Sequence, residues 1–280
     1  MSLLNENLAR LADVANQIMK EFLTKIILEA GDTVMDFFGK ATVLRSKDSI
    51  VAIVTEADIA SDKIITEAIK SSYPNHGIVA EESGNYQKDA EFVWHIDPLD
   101  GTKNFESGVH LFGINIALAK NKEIVLAAIY LPVTKELVIA EKNKGVSLFL
   151  DGKERKIFCS NKENWKGAYG IGAIKYSPQN ARLQGTLLAL SENTAWVSAI
   201  ASPAVSAVWI ADGRRDWYTS AGKNSWDFAA PLLIAKEAGC LVSNFAGEEW
   251  KPGDRGIVMT NKFLYPELIK AVQGAYQIQP

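Results

Sequence analysis

The sequence predicts an α+β chain: helix first, then a strand meander, then a layered α/β second half. Three observations predict it. Apolar residues recur at helical spacing through Leu4, Leu8, Leu11, Val14, Ile18 and Phe22. Short apolar runs separated by turn residues follow as far as Leu150. Beyond Asp151, strand-like and helix-like stretches alternate.

The opening stripe reads as a long packing helix from Leu4 to Phe38, with Gly31 as its candidate break. A second helix covers Ile59 to Ser71 and ends before the turn Tyr73-Pro74-Asn75-His76-Gly77. Strands are expected at Ile78–Ala80, Phe92–Ile96, Leu111–Ala119, Ile124–Leu131, Leu137–Ala140 and Val146–Leu150. The turn residues between them, such as Asn143-Lys144-Gly145 and Asp151-Gly152, make this an antiparallel meander. In the second half, Ile157–Cys159 and Tyr169–Ile174 read as strands and Asn180–Leu190 as a helix. Pro203 to Ala211 is helical because Pro suits a first turn and Gly213 a stop. Trp226–Ala238 is the clearest helix, with Ser225 as its cap and Gly239 just past its end. These regimes divide the chain near Asp151 into residues 1–150, an α+β domain, and 151–280, an α/β domain.

With 280 residues, 48% hydrophobic and 22% charged, the chain is ordinary for a soluble globular protein. The 33 acidic and 30 basic residues leave a net charge of −3, so no strong field attracts nucleic acid. Asn5, Glu6, Asn7 and Asp13 interrupt the place of a signal peptide's apolar core, and no run reaches about 18 apolar residues. A cytoplasmic protein that meets no membrane is expected. Cys159 and Cys240 have no metal-site spacing and read as buried thiols of a reducing compartment.

The chemistry concentrates in Trp94-His95-Ile96-Asp97-Pro98-Leu99-Asp100-Gly101-Thr102-Lys103-Asn104-Phe105. An apolar run stopped by Pro98 places Asp97 and Asp100 on a tight turn leaving a sheet edge. Two convergent carboxylates suit a hard cation such as Mg²⁺. Gly101 and Thr102 would offer backbone N–H groups and a hydroxyl to a phosphate beside it. Alternatively, an Asp-Pro-x-Asp-Gly segment is merely a turn.

Glu81 also leaves a strand end, Asp58 lies at a helix start, and Asp227 occupies the first turn of the Trp226 helix. Each taken alone also reads as a solvated loop residue or a helix-capping one. His76, His95 and His110 lack ligand spacing and read as core or surface residues. Lys40 is followed by Ala41, which excludes a Walker loop, and no G-x-S-x-G stretch or dinucleotide fingerprint is present.

Together, Val54-Thr55-x-x-Asp58, Glu81-Glu82-Ser83, Asp97-Pro98-Leu99-Asp100-Gly101-Thr102-x-Asn104-Phe105 and Trp226-Asp227-x-Ala229-Ala230 resemble the inositol monophosphatase family over essentially the whole chain. The resemblance implies the layered α/β/α/β/α sugar-phosphatase fold, a homodimer, Li⁺ sensitivity and two or three Mg²⁺ per site. It assigns Glu81, Asp97 and the Leu99 carbonyl to a first Mg²⁺. Asp97 would bridge to a second, held also by Asp100 and Asp227, and Glu81 would help hold a third. Thr102 and Asp58 would position and deprotonate the attacking water, while the Gly101 and Thr102 amides hold the phosphate. In that resemblance Lys47 would take the place of an upstream basic residue.

The sequence departs from the resemblance where the substrate would bind. Ser220 stands where inositol phosphatases of the family carry a Glu, seven residues before Asp227. Ala201-Ser202-Pro203-Ala204 replaces the usual Gly-Ser/Thr-Ala-Ala, and Lys223 could meet a second anionic group. The leading expectation is a Mg²⁺-dependent phosphomonoesterase for inositol monophosphate or a related sugar or polyol phosphate. The alternatives are a 3′(2′),5′-bisphosphate nucleotidase, a fructose-1,6-bisphosphatase, or a partner-binding regulatory protein with a vestigial site.

Overall fold

A computed structural model describes residues 2–40, 42–47, 52–172, 177–194 and 196–278. Helix α1 (Ser2–Phe37) is followed by a hairpin of β1 (Val43–Lys47) and β2 (Ala52–Thr55), then α2 (Glu56–Ser72). Next come β3 (Gly77–Ala80), β4 (Gly84–Tyr86), β5 (Phe92–Asp100), the short α3 (Thr102–Glu106) and β6 (Gly113–Lys120). Strands β7 (Glu123–Leu131), β8 (Glu136–Glu141), β9 (Gly145–Leu150) and β10 (Lys153–Lys156) complete an eight-stranded sheet. Its order is β10-β9-β8-β7-β6-β5-β3-β4, antiparallel throughout except between β3 and β5.

The rest of the chain runs β11 (Tyr169–Ile171), α4 (Pro178–Leu190), β12 (Trp196–Ser198), α5 (Pro203–Ala211), β13 (Trp217–Ser220), α6 (Ser225–Glu237), β14 (Leu241–Ser243), β15 (Ile257–Thr260) and α7 (Tyr265–Tyr276). Its five strands form a mixed sheet of order β12-β11-β13-β15-β14.

Side-chain alternation builds five layers from these elements. Leu23, Ile26, Ile27 and Val34 of α1 and Ile65 and Ile69 of α2 pack on Trp94, Ile96, Ile114 and Ile116 of the large sheet. The sheet's other face carries Ala117, Ile129 and Val138 against Val208 of α5 and Leu232 and Leu233 of α6. Tyr218, Ile257 and Met259 of the small sheet close on the same helices from the far side. Leu183 and Leu187 of α4 and Leu268 and Val272 of α7 cover the remaining face with Trp217 and Val258. The layering is α/β/α/β/α, as the resemblance implied. Fully burying one such Ile or Leu stabilises the fold by roughly 1.5–3 kcal/mol relative to leaving it exposed.

Several expectations change. α1 is unbroken at Gly31, whose missing side chain makes room for a ring: a Cβ there would lie 2.3 Å from Tyr130 Cε1. Of the predicted stripe, Val14 and Ile18 are exposed and Phe22 is half-buried, and the helix buries Leu23, Ile26, Ile27 and Val34 further along. Ile157–Cys159 forms no strand; the exposed Lys153–Lys156 pairs with β9 instead, so the large sheet continues past Asp151. Ile174 lies outside the described residues. α6 is capped at Asn224, and Ser225 is its first helical residue. The short strands β12 to β15 and the β1–β2 hairpin were not foreseen.

Candidate active site

Pro98 does not end its strand. β5 lies inside the large sheet and runs on to Asp100, with a bulge where Asp97 pairs with Asn115 and Asp100 with Gly113. Three steps along β5 thus match two along β6. In a regular strand, residues three apart face opposite ways. The extra residue returns Asp100 to the face of Asp97, while Ile96 and Leu99 both turn into the core beneath α1 and α2. Pro98 is tolerated because the ladder is already interrupted there.

The neighbouring elements bring the other acids to this strand end. Glu81 follows β3, and its N–H donates to Ile96 O at 3.1 Å, which fixes it beside Asp97. Asp227 comes from the first turn of α6, where Asn224 Nδ2 donates to its Oδ2 at 3.2 Å. One carboxylate oxygen from each of Glu81, Asp97 and Asp227 lies within 4.8 Å of the other two.

Asp100 is turned towards the second half of the chain. Its Oδ2 accepts from Ser202 Oγ and from Ala204 N, both at 2.5 Å, at the start of α5. Asp58 caps α2, its Oδ2 accepting from Thr55 N at 2.8 Å and Thr55 Oγ1 at 2.6 Å. Its Oδ1 lies 3.0 Å from Thr102 Oγ1, which is also 3.0 Å from Leu99 O. Gly101 makes the turn into α3 at φ +86°, where a Cβ would meet Leu111 O at 2.9 Å.

Burial dominates the electrostatics. Asp97 is held well above the usual carboxylate range by desolvation, with the charges of Glu81, Asp100 and Asp227 adding to it. Burial pushes Asp100 up to about 7, although the Ser202 and Ala204 bonds oppose the shift. Asp58 is raised to about 6 by burial against the pull of its Thr55 and Thr102 bonds. Converging carboxylates with no thiolate or imidazole among them fit a hard divalent cation, which would offset this repulsion.

Ser202, Ser206, Tyr218, Ser220 and Asp227 line one cavity of about 110 Å³. Ser202 is the N-cap of α5, and Pro203 takes the first helical position. Ala201 before it adopts φ +61°, the left-handed region that the glycine usual in the family would enter freely. Lys223 is exposed and is not part of this lining. Cavities of about 640, 430 and 410 Å³ lie elsewhere and contain none of the five acids, so size does not locate this site. The Lys47 side chain lies outside the described residues.

Of the three histidines, His95 is buried, His76 half-buried and His110 exposed. His76 stacks between Tyr73 and Phe92 and accepts from Trp94 Nε1 at 3.1 Å. His110 packs on Phe38. His95 Nδ1 lies 2.9 Å from Ser225 Oγ, joining β5 to the first residue of α6. Burial lowers the His95 pKa to about 4, which leaves it neutral at pH 7. The sequence reading missed this joint, and also missed Asp62, which accepts from Ser83 Oγ at 3.3 Å beside the Glu81 loop. The capping-box spacing of Thr55 and Asp58 was a visible signal; neither His95 nor Asp62 carried one.

Known proteins resemble this chain in sequence and in fold. The profile described as the inositol monophosphatase family matches residues 15–277. A Thermotoga maritima protein named fructose-1,6-bisphosphatase/inositol-1-monophosphatase is 29% identical over 253 residues, covering 90% of this chain and 94% of that protein. A Vibrio cholerae protein named Nus factor SuhB is 36% identical over 197 residues, covering 69% of this chain and 72% of its own length. Among solved structures, a Thermotoga maritima IMPase superposes with a TM-score of 0.83 at 28% identity, covering 92% of this chain and 98% of that one.

Proposed function

The chain belongs to the inositol monophosphatase family and is a phosphatase of that superfamily; from that premise we propose that it is a Mg²⁺-dependent phosphomonoesterase acting on inositol monophosphate or a related polyol phosphate. One observation carries the reading: three acids from separate segments, Glu81, Asp97 and Asp227, bring their oxygens within 4.8 Å of one another. Glu81, Asp97, Asp100, Asp227 and the Leu99 carbonyl would hold the cations. When bound, Mg²⁺ supplies charge neutralisation at the phosphate and acidifies the attacking water.

The chain's own groups do the rest. Thr102 Oγ1 has one proton and two acceptors at 3.0 Å, Asp58 Oδ1 and Leu99 O. With Asp58 ionised, the hydroxyl donates to either, and its oxygen lone pairs orient the attacking water. Asp58 then receives the proton that this water loses, relayed through Thr102. The Gly101 and Thr102 amides at the turn into α3 hold phosphate oxygens. His95, neutral and bonded to Ser225, takes no part in proton transfer.

The cavity beside Asp227 favours a neutral, hydroxyl-bearing alcohol. Ser202, Ser206, Tyr218 and Ser220 offer hydroxyls, and no Lys or Arg is among the described lining residues. A bisphosphate would need a cation for its second phosphate, and Lys223 is exposed outside the lining. Phosphate release from a panel of monophosphates and bisphosphates, with and without Mg²⁺, tests this. Release from polyol monophosphates only with Mg²⁺ is expected, and no release from any ester would sink the enzyme reading.

The name of the Vibrio cholerae relative, Nus factor SuhB, favours keeping a second reading in which the protein also serves a partner. An Asp97→Asn protein separates the two, since it should lose turnover and keep any partner contact. The homodimer, Li⁺ sensitivity and cytoplasmic location belong to the proposal. No described helix is long and apolar enough to cross a membrane.

A further inference from the structure

Asn115 is fully buried, and neither its Oδ1 nor its Nδ2 has a hydrogen-bond partner. Every other residue with an orphaned side-chain atom, among those described, has a single such atom: four Trp indoles, Arg215 and Thr219. A buried amide that meets neither of its needs is costly, and native proteins seldom keep one without a ligand, ion or water to serve. Its position indicates which ligand this would be. Asn115 stands directly opposite Asp97 in the β5–β6 ladder, so both side chains leave the same face of the sheet. On its other side Asn115 pairs with Ile129, and the same face carries Ala117 and Leu131, all packed in the apolar core. An apolar residue would suit that layer better; only the acidic end of the strand gives an amide something to do.

We propose that Asn115 is a further residue of the cation site, its carboxamide oxygen serving a divalent cation held by Asp97 through one bridging water. The inference rests on the phosphatase reading only for the presence of a cation. The carboxamide oxygen lacks a partner without the cation and gains one with it, so this residue exchanges metal-free stability for metal affinity.

The test reads Mg²⁺ binding rather than turnover, by calorimetric titration and by melting in EDTA and in Mg²⁺. Asn115→Leu removes both orphaned atoms at similar size. It should melt no lower than wild type in EDTA, and its Mg²⁺ dissociation constant should rise about tenfold. Asn115→Asp keeps the shape and adds a charge; it should melt lower in EDTA and gain more from Mg²⁺ than wild type does. If Asn115→Leu does not fold, Asn115→Asp alone decides. Unchanged Mg²⁺ affinity and unchanged Mg²⁺-induced melting shifts in the variants would overturn the proposal. A wild type that binds no Mg²⁺ would overturn this and the metal reading together, whereas one that binds Mg²⁺ without hydrolysing any ester would sink only the phosphatase reading.

Discussion

The acidic wall at the end of β5 and the hydroxyl wall of Ser202, Ser206, Tyr218 and Ser220 meet at Asp227, yet they are held by different means. The acidic wall is built into the large sheet. A ladder bulge aims Asp97 and Asp100, a main-chain bond from Glu81 to Ile96 anchors the third acid, and α6 is tied to β5 through His95 and Ser225. The hydroxyl wall consists of three serines and Tyr218 on α5, its N-cap and β13, a strand of four residues. Exchanging the Ser220 side chain leaves the β13–β15 pairing in place, whereas moving Asp97 would disturb the bulged β5–β6 ladder. On the proposed reading, catalysis rests on a fixed strand geometry and substrate choice on side chains that can change without it.

The sharpest way to break this contrast is at the acidic wall. Asp97→Asn should lower kcat/KM by about a thousandfold or more while the far-ultraviolet dichroism stays native. Retention of most turnover would remove Asp97 from the metal site. At the hydroxyl wall, Ser220→Glu should change preference rather than rate, raising kcat/KM for inositol monophosphates about tenfold relative to other esters. An equal change for every ester would mean that Ser220 does not face the alcohol.

Proton linkage separates the walls again. Asp58 at about 6, Asp100 at about 7 and the raised Asp97 hold their protons in the fold at pH values where the unfolded chain has released them. Stability present near pH 4 is therefore lost as pH rises towards 7, and Mg²⁺ should abolish that loss. Melting in EDTA should fall by several degrees between pH 5 and pH 7.5, and no fall would mean the acids are not buried together. His95, with its folded value near 4, acts in the opposite sense: its contribution is lost as pH falls from about 6.5 towards 4. His95→Phe should accordingly steepen the EDTA slope. It should also destabilise by only about 1 kcal/mol, the worth of one hydrogen bond, measured by urea unfolding.

Much of the acidic wall was legible in the sequence because its central ligands are contiguous, in Asp97-Pro98-Leu99-Asp100-Gly101-Thr102. Their arrangement was not. Pro98 reads locally as a stop, and only pairing with β6 reveals that the strand continues through a bulge. The long meander strands were found by their apolar runs, while β12 to β15, each three or four residues, are too short to carry a period. Asn115 and His95 sit inside apolar runs whose overall pattern still reads as strand, so their polarity was averaged away. The Ser225 cap was displaced by one residue because Asn224 and Ser225 are both good capping types, and the serine hydroxyl is engaged with His95.

The bulge in β5 also sets how this chain can change over time. It is a phase shift of one residue in a two-residue rhythm. Deleting Pro98 alone would restore the rhythm and leave Asp100 on the face of Asp97, whereas inserting one residue after Pro98 would carry Asp100 into the layer beneath α1 now filled by Leu99 and lift Leu99 into the acidic cluster. Substitutions can accumulate around the motif one at a time, but the spacing between its two aspartates admits no single-residue gain. An added residue, more than a changed one, is what descent must exclude from this segment.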